Sequence, residues 1–323
     1  MTAEPSSFAA VRLPARWSLR AALRAGAARF WLELLMRTAY HAPWLARAVR
    51  PTILFFGWRC SPVLRDGPTA NAAWILGPSS RPRERRALGK RVVRNFYDFV
   101  CDIGRHRLRS PDELRLLAES VEGEDHYRRA RSMGRGALVV TAHLGSFELG
   151  TAMLRAFEKR VHVVFRRDRL SSFERLRSEQ RASLGVMEAS LDDGWGVWLR
   201  LRDALLADEV VMLQGDRMMP GQRGVPVPFL GGHIELPAGP VKLAMATGAP
   251  IIPVFTIRAR RGRFRVIIDE PITVEAGPLR WDGPHPALLR LAASIERQVA
   301  AYPDQWLMLH RVWCEDRPGL PPQ

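Results

Sequence analysis

His143 and Glu148, five positions apart, are the residues of this chain whose types and spacing best suit chemistry. An imidazole exchanges a proton near neutral pH, and a carboxylate bonded to one ring nitrogen fixes the tautomer, so that the other nitrogen can act as a base. A lone histidine in such a place is more often structural. The pair therefore gains weight only from the elements that position it.

The residues around this pair predict a turn between a strand and a helix. Residues 137–141, Ala-Leu-Val-Val-Thr, form a short apolar run preceded by glycines, which is typical of a buried strand. From Phe147 onward, apolar residues recur at helical spacing, with Ser146 as a candidate N-cap. We expect His143 at the carboxyl end of the strand and Glu148 in the first helical turn, facing back toward it. Ligands bind at this edge of an open α/β sheet.

Charged residues follow two other apolar runs. Arg166 comes directly after the run 161–165, and Asp216 and Arg217 come shortly after the run 210–213. If the first of these strands neighbours the strand before His143, Arg166 points into the same crevice, where it could neutralise a phosphate or an oxyanion. The alternative is a solvated charge run.

A long segment rich in proline and glycine, residues 218–237, follows Arg217. Loops of this length in a compact domain are usually lids or binding loops. Its apolar part, residues 225–232, would suit an acyl chain or a membrane surface. The alternative is a structural hairpin.

Charge and cysteine content limit the partners and the compartment. The chain has 323 residues, a net charge of +16 and a pI near 11.1, carried almost entirely by arginine. This predicts an anionic partner: nucleic acid, an acidic carrier protein or a membrane surface. The arginines are dispersed and no nucleic-acid-binding motif is present, which argues against nucleic acid. The three cysteines form no CxxC pair, as expected in a reducing compartment. No third ligand stands at zinc-like spacing from His143, so no metal site is expected.

Residues 16–58 are the most amphipathic part of the chain. Tryptophans recur there among leucine, alanine and phenylalanine, interleaved with arginines. Charges interrupt every window of the roughly 20 apolar residues that a membrane span requires. The pattern favours helices lying in the membrane interface. The alternative is that these helices pack on the domain with tryptophan as core. No secretory signal is visible.

Beyond residue 82, predicted helices alternate with short apolar strands. This alternation predicts an α/β fold with a mostly parallel central sheet flanked by helices. We divide the chain into an N-terminal amphipathic helical segment, residues 1–82, which is expected to associate with membranes, and an α/β domain, residues 83–323. Within that domain, the predicted strands are 161–165, 185–188, 210–213, 251–257 and 264–268, and the predicted helices are 83–104, 173–184, 195–207, 239–247 and 287–301.

Taken in order, the motifs resemble the bacterial lipid A biosynthesis acyltransferase family, which is part of the lysophospholipid acyltransferase superfamily. The resemblance covers about residues 85 to 315, and its motifs are His143-x4-Glu148, Phe165-Arg166, Gly215-Asp216-Arg217, Pro228-Phe-Leu-Gly231, Leu236-Pro-Ala-Gly239, Thr247-Gly-Ala-Pro250 and Tyr302–Trp313.

The resemblance implies an enzyme that moves a fatty acyl group from a thioester of acyl carrier protein or coenzyme A to a hydroxyl of a glycolipid or lysolipid. A lipid A type acceptor is favoured. It also implies a place on anionic lipids at the cytoplasmic face of the bacterial inner membrane, with no cofactor. By position, His143 would be the general base and Glu148 its orienting partner. The residues expected to line the substrate site are Arg166, Ser146, Asp216 and Arg217. Arg166, or backbone amides near Ser146, would hold the oxyanion.

Two departures from the family pattern bear on the acceptor. Ser146 stands where relatives often carry asparagine, and the Asp216 region reads Gly-Asp-Arg where many lipid A enzymes carry an acid pair. A thioesterase-like hydrolase that uses the same residues on water is the alternative reaction.

Overall fold

The computed structural model describes residues 30–31, 33–106, 109–167, 171–218, 222–275, 277 and 283–314. Its strands are β1 Ala118–Glu122, β2 Ala137–Thr141, β3 Val161–Phe165, β4 Met187–Ser190, β5 Val210–Gln214, β6 Val225–Phe229, β7 Gly232–Leu236, β8 Ile251–Arg258 and β9 Phe264–Ile268. Its helices are α1 Pro43–Cys60, α2 Pro62–Ile75, α3 Pro82–His106, α4 Pro111–Arg115, α5 Glu124–Arg131, α6 Phe147–Phe157, α7 Ser171–Ser183, α8 Gly196–Leu206, α9 Gly239–Thr247 and α10 Pro286–Ala301. Residues 33–41 are also helical.

The central sheet has seven strands in the order β1-β9-β8-β2-β5-β3-β4. Every neighbouring pair is parallel except β8 and β9. All residues of the central strand β2 are buried, because apolar side chains cover both of its faces. The predicted mostly parallel α/β fold is confirmed.

The segment predicted as a long lid is a hairpin in its described part. β6 and β7 pair antiparallel and form a separate two-stranded sheet. Val227, Phe229, Ile234 and Leu236 alternate along the hairpin and are all buried in the main core. The alternation places one face of the hairpin in the core, so the structural interpretation of residues 225–232 is the correct one. Residues 219–221 lie outside the described part.

The N-terminal helices pack on the α/β domain through one face. Met36, Ala39 and Ala46 are buried. Gly104 of α3 is so close to residue 36 that an added Cβ would lie 2.4 Å from its carbonyl oxygen. The domain boundary at residue 82 stays a prediction. Residue 36 and Gly104, which this boundary assigns to different domains, are in close contact. Trp17 and all other residues before 30 lie outside the described residues.

The opposite face of the same helices carries large apolar side chains in contact with solvent. The exposed fractions are 64% for Trp31, 67% for Trp44, 66% for Phe55 and 57% for Phe56. The packing interpretation is confirmed for the buried face, although Trp31 and Trp44 are exposed and do not belong to the core. Contact of the exposed apolar face with a membrane stays a prediction. Within the part of the chain that the structure describes, no helix is both long and apolar enough to cross a bilayer.

Candidate active site

The register of the two central parallel strands places His143 beside Asp216. Thr141, the last residue of β2, pairs with Gln214, the last residue of β5. The Gly215 amide continues the ladder by donating to the Thr141 carbonyl at 2.8 Å. His143 and Asp216 each stand two residues beyond these paired ends. They therefore emerge side by side at the carboxyl edge of the sheet.

Asp216 is fully buried and accepts three hydrogen bonds. One oxygen, Oδ1, is 2.8 Å from Nδ1 of His143. The other, Oδ2, accepts from the His143 backbone amide at 2.8 Å and from Nε1 of Trp306 at 2.9 Å. The exposed fraction of Asp216 is 0%. Of the three bonds found among the described residues, two come from His143 itself, so the carboxylate fixes the position of that residue.

The environment of Asp216 keeps its carboxyl group ionised. Burial alone would raise the pKa, but the positive charge that His143 can carry and the hydrogen bonds from His143 and Trp306 outweigh it, so the pKa lies below its ordinary value. An ionised carboxylate can only accept hydrogen bonds. Nδ1 of His143 must therefore carry the proton, which leaves Nε2 of the neutral ring as an acceptor. The His143 side chain is 19% exposed, so the ring is in part accessible from solvent.

Glu148, the predicted partner of His143, faces another helix. Its carboxylate pairs with Arg177 of α7, and the carboxylate that His143 contacts in the described part of the chain is Asp216. The expectation that Glu148 faces back toward His143 is therefore corrected on geometry. The physical reason is that β5 already supplies an acid at the Nδ1 position, whereas Glu148 is directed to α7 by its place in the first turn of α6.

The turn after β2 is fixed by backbone contacts from two sides. Gly145 has a φ of +62°, and an added Cβ would lie 2.1 Å from the Thr256 carbonyl oxygen, so only glycine fits there. The amides of Gly145 and Ser146 donate to the carbonyls of Gln305 and Thr256, both at 2.9 Å. These two amides, which were candidate oxyanion donors, are therefore already occupied. Any amide donor at this helix start must come from the first turn of α6 instead.

Ser146 occupies the predicted N-cap position of α6 but makes no side-chain cap. Its hydroxyl points inward instead and donates to Oδ2 of Asp102, on α3, at 3.2 Å. The exposed fraction of Ser146 is 1%. The hydroxyl predicted to line the substrate site is thus held inside the protein.

The two predicted arginine contacts differ in their surroundings. The sheet order places β5 between β2 and β3, so the strand before Arg166 does not neighbour the strand before His143. Arg166 instead donates to Asp192 at 3.0 Å. Arg217, next in the chain to Asp216, is exposed. Among the described residues, no ion pair is found for its guanidinium.

Trp306 is the site residue that the sequence motifs did not single out for a role. It is 1% exposed and lies next to the turn, since its neighbour Leu307 donates to the His143 carbonyl at 2.8 Å. The only sequence signal was its place in the motif 302–313. The Trp306 indole N–H reaches the Asp216 carboxylate only because of the path that the C-terminal segment takes along the sheet edge. No local sequence pattern predicts that path.

Replacing Trp306 with phenylalanine is expected to lower both stability and activity. The change removes a charge-assisted hydrogen bond of the kind that contributes about 1.5–3 kcal/mol and frees Asp216 to move. We expect the free energy of unfolding to fall by about that amount and kcat to fall about tenfold, which corresponds to about 1.4 kcal/mol in the barrier. Urea denaturation and initial rates check these values.

Trp313→Phe is the matched control for this prediction. Trp313 is also buried and packs edge-on against Trp306, but its Nε1 donates to the Phe229 carbonyl at 3.0 Å and not to Asp216. Its loss should lower stability with little change in kcat. Equal kcat losses in the two variants would show that the Trp306 bond has no particular role in the site.

The protein has an α/β fold, and a histidine–aspartate pair, whose groups are of the types used in general acid–base catalysis, lies at the carboxyl edge of its sheet. A family match gives the class of protein: residues 36–315 match the family described as bacterial lipid A biosynthesis acyltransferase, and the chain belongs to that family. It is therefore an acyltransferase of lipid biosynthesis. The match begins within the helix at residues 33–41, upstream of the region in which the sequence motifs were recognised.

Two relatives of this chain are named phosphatidylinositol mannoside acyltransferases. The chain is 28% identical over 284 residues to a phosphatidylinositol mannoside acyltransferase of Mycolicibacterium smegmatis, an alignment that covers 80% of this chain and 90% of the relative. It is 29% identical over 205 residues to a protein of the same name from Mycobacterium tuberculosis, with 62% of each chain covered.

Proposed function

We propose that this protein is a membrane-surface O-acyltransferase that moves a fatty acyl group from a thioester to a hydroxyl of a glycolipid, with His143 as general base. The observation that carries the proposal is the buried Asp216 carboxylate, which holds Nδ1 of a partly exposed His143 side chain at the carboxyl edge of the sheet and so leaves Nε2 to act as the base. The family's role in lipid acyl transfer supplies the reaction class.

The proposed reaction needs one proton acceptor and one site for negative charge. Nε2 of His143 takes the proton of the acceptor hydroxyl while the hydroxyl oxygen bonds to the thioester carbonyl carbon. The carbon–sulfur bond of the tetrahedral intermediate then breaks, and the thiolate leaves with the proton from His143. Asp216 stabilises the imidazolium between these steps. Such proton transfer contributes about 10²–10⁴-fold to the rate.

Two groups close to His143 have the positive charge or partial charge needed to stabilise the oxyanion of that intermediate. The first-turn amides of α6 lie at the positive end of the helix dipole, directly after the turn that carries His143. The exposed guanidinium of Arg217 follows Asp216 in the chain. We assign Arg217 to the anionic parts of the substrates, because its exposed guanidinium forms no ion pair with any residue that the structure describes and can bind a new anion. Arg166 is already paired with Asp192.

The donor is proposed to be an acyl thioester of acyl carrier protein or coenzyme A, and the acceptor a sugar hydroxyl of a membrane glycolipid. Lipid A precursors are favoured by the family description, and mannosylated phosphatidylinositol is suggested by the names of the relatives. The net charge of +16 would attract either donor, since both are anionic. The same charge supports a position on anionic lipids at the cytoplasmic face of the inner membrane.

Product analysis tests the proposed reaction. The purified protein is incubated on anionic vesicles with each acyl thioester, with and without each class of glycolipid, and the lipids are examined by mass spectrometry. Acylated glycolipid that forms only with acceptor and donor present supports the proposal. Free fatty acid that forms at the same rate without acceptor would identify a hydrolase and contradict it.

The exposed aromatic face of the N-terminal helices is proposed to contact the membrane. Met36, from these helices, shares an apolar cluster with Phe147 of α6, and the ring of Phe147 lies edge-on to His143 with centroids 5.4 Å apart. The apolar surface is therefore attached at the edge of the sheet where His143 lies. A bilayer that binds this surface would bring its lipids to the site.

A triple substitution of Trp44, Phe55 and Phe56 by serine is expected to weaken vesicle binding. Each aromatic side chain contributes about 1.5–3 kcal/mol when buried in an apolar phase, so the partition coefficient should fall at least tenfold per fully inserted residue. All three are exposed, and the melting temperature should stay nearly unchanged. Flotation with anionic vesicles measures the effect.

The control carries serine at Met133 and Leu206, which are 44% and 62% exposed. They precede the parallel strands β2 and β5 and so lie at the amino edge of the sheet, opposite the edge where His143 lies. The control should float like the unmodified protein. If the triple variant also floats unchanged, the N-terminal helices serve only for packing.

A further inference from the structure

A buried polar cluster lies beneath the turn that carries His143. Asp102 comes from α3, Ser146 from the turn and Arg258 from β8. Arg258 Nη1 is 2.5 Å from Oδ2 of Asp102, and Arg258 Nη2 donates to the Ser146 hydroxyl at 3.3 Å. The Ser146 hydroxyl donates to the same Oδ2 at 3.2 Å. The three groups close a triangle of polar contacts between three separate elements.

The burial of this cluster makes stability a poor explanation for it. Asp102 is 4% exposed and Ser146 1% exposed. Removing a carboxylate and a guanidinium from water costs several kcal/mol per ion, so apolar residues at such positions are often as stable or more stable. Buried ionic groups can instead define a single local geometry, and here the element that they define is the turn after β2.

The surrounding contacts extend the cluster toward His143. The Arg258 amide donates to the Gln305 side-chain oxygen at 2.8 Å, and the Gln305 side-chain nitrogen donates back to the Arg258 carbonyl at 3.1 Å. The Gln305 carbonyl in turn receives the amide of Gly145. Arg258 is thus tied both to Ser146 through its side chain and to Gly145 through Gln305. The turn has little freedom to shift relative to α3 and β8.

We propose that Asp102, Ser146 and Arg258 are positioning residues that hold the turn so that Nε2 of His143 faces the acceptor hydroxyl. This rests on the proposed role of His143 as the base. Asp102 lies on α3, the helix on which the N-terminal apolar helices pack. The cluster therefore links the turn that carries the reacting imidazole to the helix against which the proposed membrane-facing helices pack. A misplacement of about 1 Å at such a group can cost about 10²-fold in rate.

Ser146→Ala tests the proposal with the smallest change. It removes the hydroxyl from the turn and leaves the Asp102–Arg258 pair in place. We expect kcat for acyl transfer to fall about 10- to 100-fold, with KM changed less than about twofold, because the substrate contacts remain. Hydrogen exchange of the amides at residues 143–146 should become at least about tenfold faster, whereas exchange in β2 and β5 should not change.

The chain offers a matched control in Ser294. It is 3% exposed, and its hydroxyl is 2.5 Å from Asp269 Oδ2, to which Arg297 also donates at 2.7 Å. This Ser–Asp–Arg cluster has the same chemistry but joins α10 to the segment after β9. Ser294→Ala should lower the melting temperature about as much as Ser146→Ala, with kcat and the exchange at residues 143–146 unchanged.

A double-mutant comparison then tests the route of the effect. In an Asp102→Asn background, Ser146→Ala should have little further effect on kcat, because both changes break the same link. Unchanged kcat in Ser146→Ala, or losses equal to those of Ser294→Ala, would overturn the positioning role. Failure of the proposed function is a separate outcome, since it would appear as full transfer activity in a His143 variant, whereas the exchange measurement requires no activity.

Discussion

Replacing His143 with alanine is expected to lower kcat for acyl transfer by about 10²–10⁴-fold, the range that general acid–base catalysis contributes. Nε2 of this ring is the acceptor that Asp216 leaves available at the sheet edge, and alanine supplies no substitute. The fold should persist, because the backbone amide of residue 143 and Nε1 of Trp306 can still donate to Asp216. Initial rates of ester formation measure the loss, and circular dichroism verifies the fold.

His162→Ala is the control for this variant. His162 also pairs with a carboxylate, since its Nε2 lies 2.5 Å from Oε2 of Glu209, but it stands at the start of β3, on the opposite edge of the sheet. Its loss should affect stability and leave kcat nearly unchanged. Full transfer by the His143 variant would eliminate imidazole as the base.

Asp216→Asn is expected to lower kcat about 10³–10⁴-fold, as the corresponding change does in a serine protease triad. The carboxylate oxygen that receives both the His143 amide and Trp306 must remain an acceptor, so the asparagine oxygen will occupy that place. The asparagine amino group then faces Nδ1 of His143 and donates to it. The proton of the ring moves to Nε2, and the base is lost while the packing is preserved.

The effect of Asp216→Asn on the free energy of unfolding is expected to depend on pH. Because the folded-state pKa of Asp216 is lowered, its ionised form stabilises the fold above the ordinary aspartate pKa, and this contribution is lost as the pH falls through the folded-state value. The difference in unfolding free energy between the native protein and Asp216→Asn should therefore be largest near neutral pH and shrink in strong acid. A pH-independent difference would mean that the carboxylate charge does not contribute.

Much of the fold could be predicted from the sequence, because most strands of the central sheet are short apolar runs. The runs 161–165 and 264–268 are observed as predicted, and their neighbours shift by a few residues. β1, Ala-Glu-Ser-Val-Glu, was missed because its largely exposed side chains carry no buried pattern. The hairpin β6–β7 was left as one of two alternatives, because prolines in β6 resemble a loop.

The candidate site was predicted in part, and the missing part depends on strand order. His143 and Asp216 were both expected at carboxyl ends of strands, yet the pairing with Glu148 was preferred because those two residues share a local motif. Only the knowledge that β2 and β5 are neighbours, with Thr141 opposite Gln214, brings His143 and Asp216 together. The same order removes Arg166 from the expected crevice. Non-local pairing of this kind leaves no periodic trace in the chain.

The most direct test of the central claim is the tautomer of His143, measured by ¹⁵N NMR on protein with labelled histidine and assigned by the loss of its signals in the His143→Ala variant. The neutral ring should carry its proton on Nδ1, with Nε2 unprotonated. Asp216→Asn should reverse this pattern, whereas Glu148→Gln should leave it intact, because Glu148 pairs with Arg177. A proton on Nε2 in the native protein, or a tautomer that responds to Glu148 and not to Asp216, would contradict the account.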